Sequence, residues 1–205
     1  MDKYIPIPEN FRKSAPLVYS VDYFDYATGV GYNKFYLAGQ GISGSSIYSL
    51  TTDSTLKGDN ENFRLSGVDA TADFDLTFNN PVKIAPNYAQ INYVLRKTGT
   101  SATRVKWTIS HVRGAVVTEL GSAYDSAFTL GGAGIAGKST RVLLTGKTFA
   151  VGDKLRITPV LKRLGANGEP YIYLDPVGSL SLTDSLTGAT LTTSTSINIP
   201  FEVDL

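Results

Sequence analysis

The feature that most constrains this chain is a rhythm of two. In Arg104-Val105-Lys106-Trp107-Thr108-Ile109-Ser110-His111, Val105, Trp107 and Ile109 fall on one side and Lys106, Thr108 and Ser110 on the other. Phe74, Leu76 and Phe78 alternate with Asp73, Asp75 and Thr77, and Ile91, Tyr93 and Leu95 alternate with Asn92, Val94 and Arg96. Ile197, Ile199, Phe201 and Val203 alternate in the same way with Asn198, Pro200, Glu202 and Asp204. Successive side chains of a strand point to opposite faces, so this period is the mark of strands with one face on a core. No window of a dozen residues carries a convincing 3.6-residue period, which limits any helix to a turn or two.

Further strands are expected at Ser46–Thr52, Val116–Leu120, Ser139–Thr145, Lys154–Leu161 and Pro170–Leu174. Turn clusters separate them: Lys57-Gly58-Asp59-Asn60, Asn79-Asn80-Pro81, Val151-Gly152-Asp153 and Gly165-Ala166-Asn167-Gly168. Short strands punctuated in this way predict an all-β antiparallel sandwich, jelly-roll-like, or a barrel. Pro200, lacking a backbone donor, places the last strand at a sheet edge or a bulge. Residues 1–45 alternate weakly and are rich in aromatics (Tyr19, Tyr23, Phe24, Tyr26, Tyr32, Phe35, Tyr36). They are expected to form an arm or irregular lead-in to a sandwich domain at 46–205. Such an arm is too apolar for solvent, so it packs on its own body or is exchanged between subunits.

Composition narrows the function. The formal net charge is +1, with Lys and Arg scattered, so no basic stripe of the kind that neutralises phosphates is formed and nucleic acid is not the expected partner. There is no cysteine, hence neither a disulfide nor a thiolate metal site. The opening Met1-Asp2-Lys3-Tyr4-Ile5-Pro6-Ile7-Pro8 has no apolar core of a signal peptide. No run approaches the ~18 apolar residues of a membrane helix, and no membrane partner is expected.

One motif fits a known chemistry letter for letter. Gly132-Ala133-Gly134-Ile135-Ala136-Gly137-Lys138-Ser139 matches the phosphate loop G-x-x-x-x-G-K-S, and glycines 132, 134 and 137 also match G-x-G-x-x-G. That chemistry requires loop amides at a helix N-terminus, with the lysine on the terminal phosphates and the hydroxyl on magnesium. Here the following Ser139-Thr140-Arg141-Val142-Leu143-Leu144-Thr145 is a strand pattern stopped by Gly146, and no alternating βα units surround it. The expectation is a flexible Gly/Ala-rich loop between two strands, without a nucleotide.

The remaining candidates are weighed against simpler roles. His111, the one histidine, ends a strand beside Arg113-Gly114 and reads as half-exposed. Asp53, Asp59, Asp69, Asp73 and Asp75 could offer oxygens to calcium, but their spacing fits no twelve-residue calcium loop, and a solvated face or turn is expected. The glutamates are flanked by turn-like or strand-edge sequence, which does not suit the paired carboxyls of a glycosidase. Trp107, between Val105 and Ile109 on the apolar face, is expected in the core. Tyr171 and Tyr173, near Asp175-Pro176, are the tyrosines expected to be exposed. No catalytic, cofactor-binding or metal residue is assigned, no cofactor is expected, and the chain is read as no enzyme.

Several stretches together carry a resemblance. They are Tyr4-Ile5-Pro6-Ile7-Pro8-Glu9-Asn10-Phe11-Arg12-Lys13, Phe74-Asp75-Leu76-Thr77-Phe78-Asn79-Asn80-Pro81 and Phe149-Ala150-Val151-Gly152-Asp153-Lys154-Leu155-Arg156-Ile157, with Tyr171-Ile172-Tyr173-Leu174-Asp175-Pro176 and Ile199-Pro200-Phe201-Glu202-Val203-Asp204. The layout resembles the small β-sandwich, jelly-roll-like virion proteins of tailed bacteriophages. The resemblance implies a capsid decoration, cement or head-fibre subunit at the capsid surface. Its partners would be copies of itself, a trimer favoured, and the major capsid protein. The alternative is a receptor- or glycan-binding sandwich module of a fibre or cell surface.

Overall fold

In the computed structural model the residues described are 30–42, 45–55, 64–178 and 180–202. Among them every regular element is a strand, and the pairing is antiparallel except for one parallel bridge, Ser49↔Asp75. The expected antiparallel sandwich is the fold observed. The chain order is β1 (Val30–Ile42), β2 (Ser45–Thr51), β3 (Arg64–Ser66), β4 (Phe74–Thr77) and β5 (Val82–Ile84), then β6 (Tyr88–Lys97), β7 (Ala102–Arg113) and β8 (Val116–Tyr124). There follow β9 (Gly134–Leu143), β10 (Lys147–Phe149), β11 (Lys154–Leu164), β12 (Pro170–Tyr173) and β15 (Ser196–Glu202), with a separate hairpin of β13 (Ser181–Thr183) and β14 (Thr190–Thr192) between the last two.

Hydrogen bonding runs β3-β12-β6-β15-β1-β2-β4-β11-β7-β8, with β9 on the other side of β6, β5 on β15 and β10 on β5. The path folds into two layers. β1 makes the crossing: its first half pairs with β15 (Tyr36↔Ser196), its second half with β2 (Leu37↔Leu50). The β6/β15 layer then faces the β7/β11 layer, and Tyr93 of β6 meets Trp107 of β7 edge-on at 5.0 Å. Phe78 bridges similarly to Phe149 at 5.1 Å and to Phe201 at 6.2 Å. Trp107 is fully buried, as its flanking residues predicted. Alternating strands with one apolar face thus supply a single core of Phe35, Ile91, Leu95, Val105, Ile109, Leu155, Ile157 and Ile199.

The free sides of the layers meet where β8 approaches β9. The Thr145 amide and hydroxyl both donate to the Leu120 carbonyl, at 2.9 and 3.1 Å. The register of β7 against β8 slips between Ile109 and Ser110, so that Leu120 is the extra residue of a bulge and turns its side chain into the core. Gly121 makes the approach possible, since a Cβ there would stand 2.2 Å from the Leu143 carbonyl oxygen.

Two sequence expectations meet the fold differently. Val30–Ile42, within the segment read as an arm, is a strand between β15 and β2, so a division at 45/46 would cut through a hairpin; residues 1–29 lie outside the described ones. The last strand is not at an edge. β15 lies between β1 and β6/β5, and Pro200 sits where β15 passes from its β6 pairs (Ser196, Ile197, Asn198) to its β5 pair at Phe201. There the Pro200 carbonyl still accepts the Ala85 amide at 3.0 Å, and the missing N–H falls at the gap between the β6 and β5 pairings.

Candidate functional site

The phosphate-loop look-alike is strand. Gly134–Leu143 pairs along its whole length with β6, Gly137 opposite Val94, Lys138 opposite Tyr93 and Ser139 opposite Asn92. The amides that a phosphate would need are engaged: Gly137 N–H donates to the Asp184 carboxylate at 2.9 Å, and Ile135 N–H to the Ser185 hydroxyl at 2.9 Å. Lys138 Nζ donates to the Ser126 carbonyl at 2.9 Å. The expected slack loop is therefore corrected from Gly134 onward. Glycine allows the β13–β14 hairpin to lie on the sheet, with Leu191 directly over Gly137.

His111 is also corrected. It shares the inward parity of Trp107 and Ile109 although it stands near the strand end, and it is buried. Its Nε2 lies 2.7 Å from Asp153 Oδ2, and its ring stands edge-on to Phe149 at 4.6 Å. Asp153 further accepts from Arg113 Nε at 2.8 Å, Arg113 Nη2 at 2.6 Å and the Ala150 amide at 2.8 Å. These donors, Arg113 foremost and then His111, hold the Asp153 carboxyl well below the ordinary carboxylate range. The cluster clasps the turn before β11 to the end of β7.

A second carboxylate works across the layers. Asp125 is buried; its Oδ1 accepts the Val105 amide at 2.8 Å and its Oδ2 accepts the Tyr93 hydroxyl. Burial pushes both the Asp125 carboxyl and the Tyr93 phenol above their usual values. Lys97, buried on the inward side of β6, points its ammonium at the carbonyls of Ser101 (3.2 Å) and Leu130 and over the Phe128 ring. Burial lowers its pKa.

The aspartates weighed for calcium are otherwise occupied. Arg156 of β11 takes Asp75 through Nε at 2.7 Å and Nη2 at 2.8 Å, and Asp73 through Nη1 at 2.6 Å; Lys162 pairs with Asp69. Asp53 caps an exposed turn by accepting the Thr55 amide at 2.7 Å, and Asp59 lies outside the described residues. Among the described residues no group of three acidic or histidine side chains converges to hold a metal. Tyr173, expected to be exposed, is buried, and Tyr171 is half-buried between β3 and β6.

Two exposed tyrosines, Tyr32 and Tyr88, stand elsewhere, around an open groove of about 400 Å³ on the outer face of β1, β15, β6 and β9, while a third, Tyr124 of β8, lies under Arg104. It is lined by Tyr32, Asn87, Tyr88, Gln90, Arg141 and Asn198. The register places Lys34, Asn198, Gln90 and Arg141 directly opposite one another in a row across the four strands. This row spans roughly 14 Å at the usual strand spacing. Gln90 Nε2 lies 3.4 Å from both Asn92 Oδ1 and Ser139 Oγ, the next outward pair along β6 and β9, which fixes its amide. The lining holds one guanidinium, three amides and two phenols, and no carboxylate.

The far end of the other layer is apolar. Val116 is 66% exposed and Val117 53%, at the tip of the β7–β8 hairpin, and Val151 is 64% exposed in the turn before β11. Val112 pairs with both Val117 and Lys154, which brings these valines to the same end of the sandwich, around Arg113.

Neither a family model nor a curated protein matches the chain. Solved structures do share its fold. An α-amino acid ester hydrolase superposes with a TM-score of 0.54 at 9% identity over 81% of this chain, and an aminopeptidase from a marine sediment archaeon, Thaumarchaeota archaeon, with 0.55 at 9% over 82%. This chain spans 36% of either protein's length. The expectation that excluded enzymes is corrected by these neighbours, because this fold occurs within hydrolase chains. At such identity the likeness concerns the fold and assigns no activity to this chain.

Proposed function

We propose that this chain is a structural subunit of a virus particle, a capsid decoration or head-fibre protein that works through contacts with its own copies and the major capsid protein. The observation that carries the reading is the exposed apolar end formed by Val116, Val117 and Val151. Three valines left in water at one end of a well-filled sandwich form a surface with something to gain from being covered. The exposed guanidinium of Arg113, anchored on Asp153, stands beside them as a fixed polar contact. The bacteriophage resemblance in the strands and turns supports the same role, with three copies around a local three-fold axis at the capsid surface. A stable contact of this kind buries at least ~1,000 Å² in total.

Size-exclusion chromatography with light scattering, and co-sedimentation with capsids stripped of this subunit, test the proposal. The wild type is expected to form a defined oligomer and to rebind capsids, and V116D/V117D to lose both while melting at the wild-type temperature. A wild-type monomer that ignores capsids would refute it, and turnover of an ester or peptide substrate would move the reading to the hydrolases.

A further inference from the structure

The groove on the β1/β15/β6/β9 face lies on a different surface from the valine end, and its chemistry stands independently of the virion reading. Its floor is a sheet, so its side chains are set by strand register rather than by a loop. Tyr32, opposite Pro200 on β1, and Tyr88, two residues before Gln90 on β6, line the groove from strands on either side of β15, about 10 Å between backbones. Their rings offer apolar faces with hydroxyl tips, the combination that stacks on the C–H face of a sugar while hydrogen-bonding its rim. Asn198, Gln90 and Asn87 line the groove with them; Asn87 Oδ1 accepts the Tyr88 amide at 2.8 Å and Gln90 Nε2 lies on Asn92 and Ser139, which turns the Gln90 carbonyl, the Asn87 amide donor and both groups of Asn198 to hydroxyls that give and accept.

Charge selects among saccharides. Arg141 closes one end of the row and Lys34 the other, and neither pairs with a carboxylate among the described residues. Elsewhere the basic side chains Arg113, Arg156, Lys83 and Lys162 are each on an acid. A planar guanidinium left open in a site without acids matches a carboxylate in two-point geometry.

We propose that this groove binds an acidic saccharide, a uronate- or sialate-type glycan whose carboxylate rests on Arg141 and whose ring lies between Tyr32 and Tyr88. The full-length protein is to be titrated by calorimetry with trigalacturonate, 3′-sialyllactose, lactose and a sulfated disaccharide, alongside R141A, R141K and Y32A/Y88A. A carboxylated ligand is expected to bind, with affinity falling as salt rises, and lactose to bind at least tenfold more weakly. R141A should lose about tenfold or more for the carboxylated ligand, as loss of a charge-assisted bond requires, while R141K keeps part of it and Y32A/Y88A weakens acidic and neutral sugars alike. All three side chains concerned lie at the surface, so unchanged melting temperatures separate binding from folding. Absence of binding to both carboxylated ligands, equal affinity for lactose, preference for the sulfated sugar, or an R141A variant that binds like the wild type would each overturn the proposal.

Discussion

Replacing Gly121 with alanine tests whether β8 and β9 really close the sandwich. The new methyl would stand 2.2 Å from the Leu143 carbonyl oxygen and 3.1 Å from Val142 Cγ1. Carbon and oxygen ordinarily keep about 3.3 Å or more apart, so the two backbones must part by about 1 Å. The neighbouring bonds from Thr145 to the Leu120 carbonyl, at 2.9 and 3.1 Å, would be stretched past useful length. Overpacking costs about 1–3 kcal/mol, and each lost hydrogen bond about 1 kcal/mol. Against this, alanine restricts the unfolded chain and returns about 0.4–1 kcal/mol. The net loss is about 2–4 kcal/mol, which for a chain of this size lowers Tm by roughly 4–16 °C. Differential scanning calorimetry measures it. Gly132→Ala serves as the control, because no atom lies within 4 Å of its Cβ position, and its effect should stay within about 0.5 kcal/mol. A Gly121→Ala protein that melts with or above the wild type would show that the layers are not in contact there.

Two further outcomes follow from buried and engaged groups. The Asp153 carboxyl has a folded-state pKa below its unfolded one, so its contribution is complete above about pH 4 and is lost as pH falls toward the folded value. Urea titrations from pH 2 to 7 should show an acid limb that D153N flattens, and an unchanged limb would remove the clasp from the stability account. K138A should melt within about 0.5 kcal/mol of the wild type, and neither protein should bind ATP with magnesium in calorimetry, since Lys138 sits on Ser126 and the Gly137 amide on Asp184. Nucleotide binding that disappears in K138A would contradict the strand assignment of β9.

What the residues determined on their own was local. Period-two alternation around Trp107, Ile91 and Ile199 fixed the strands and their buried faces, because burying one face of a strand leaves no other spacing. After the phosphate-loop letters a strand was readable from Ser139 onward, because β-branched residues stand where a helix was required; the glycines before it read as a loop, and only pairing with β6 carries the strand back to Gly134. Tertiary structure decided whatever depended on which strands became neighbours. His111 sat on the inward parity of its strand, yet nothing near it in sequence announced the charge partner that the turn before β11 delivers from 42 positions away. Pro200 read as the mark of an edge strand or a bulge, and only the passage of β15 from β6 to β5 placed it inside the sheet, at a break in the pairing. Tyr173 and Tyr88 are chemically alike, but one is covered and the other lines a groove. The row Lys34–Asn198–Gln90–Arg141 comes from four strands far apart in the chain. Short-range sterics and side-chain parity are written into neighbouring residues, whereas a surface shared by several strands exists only after their pairing has been chosen.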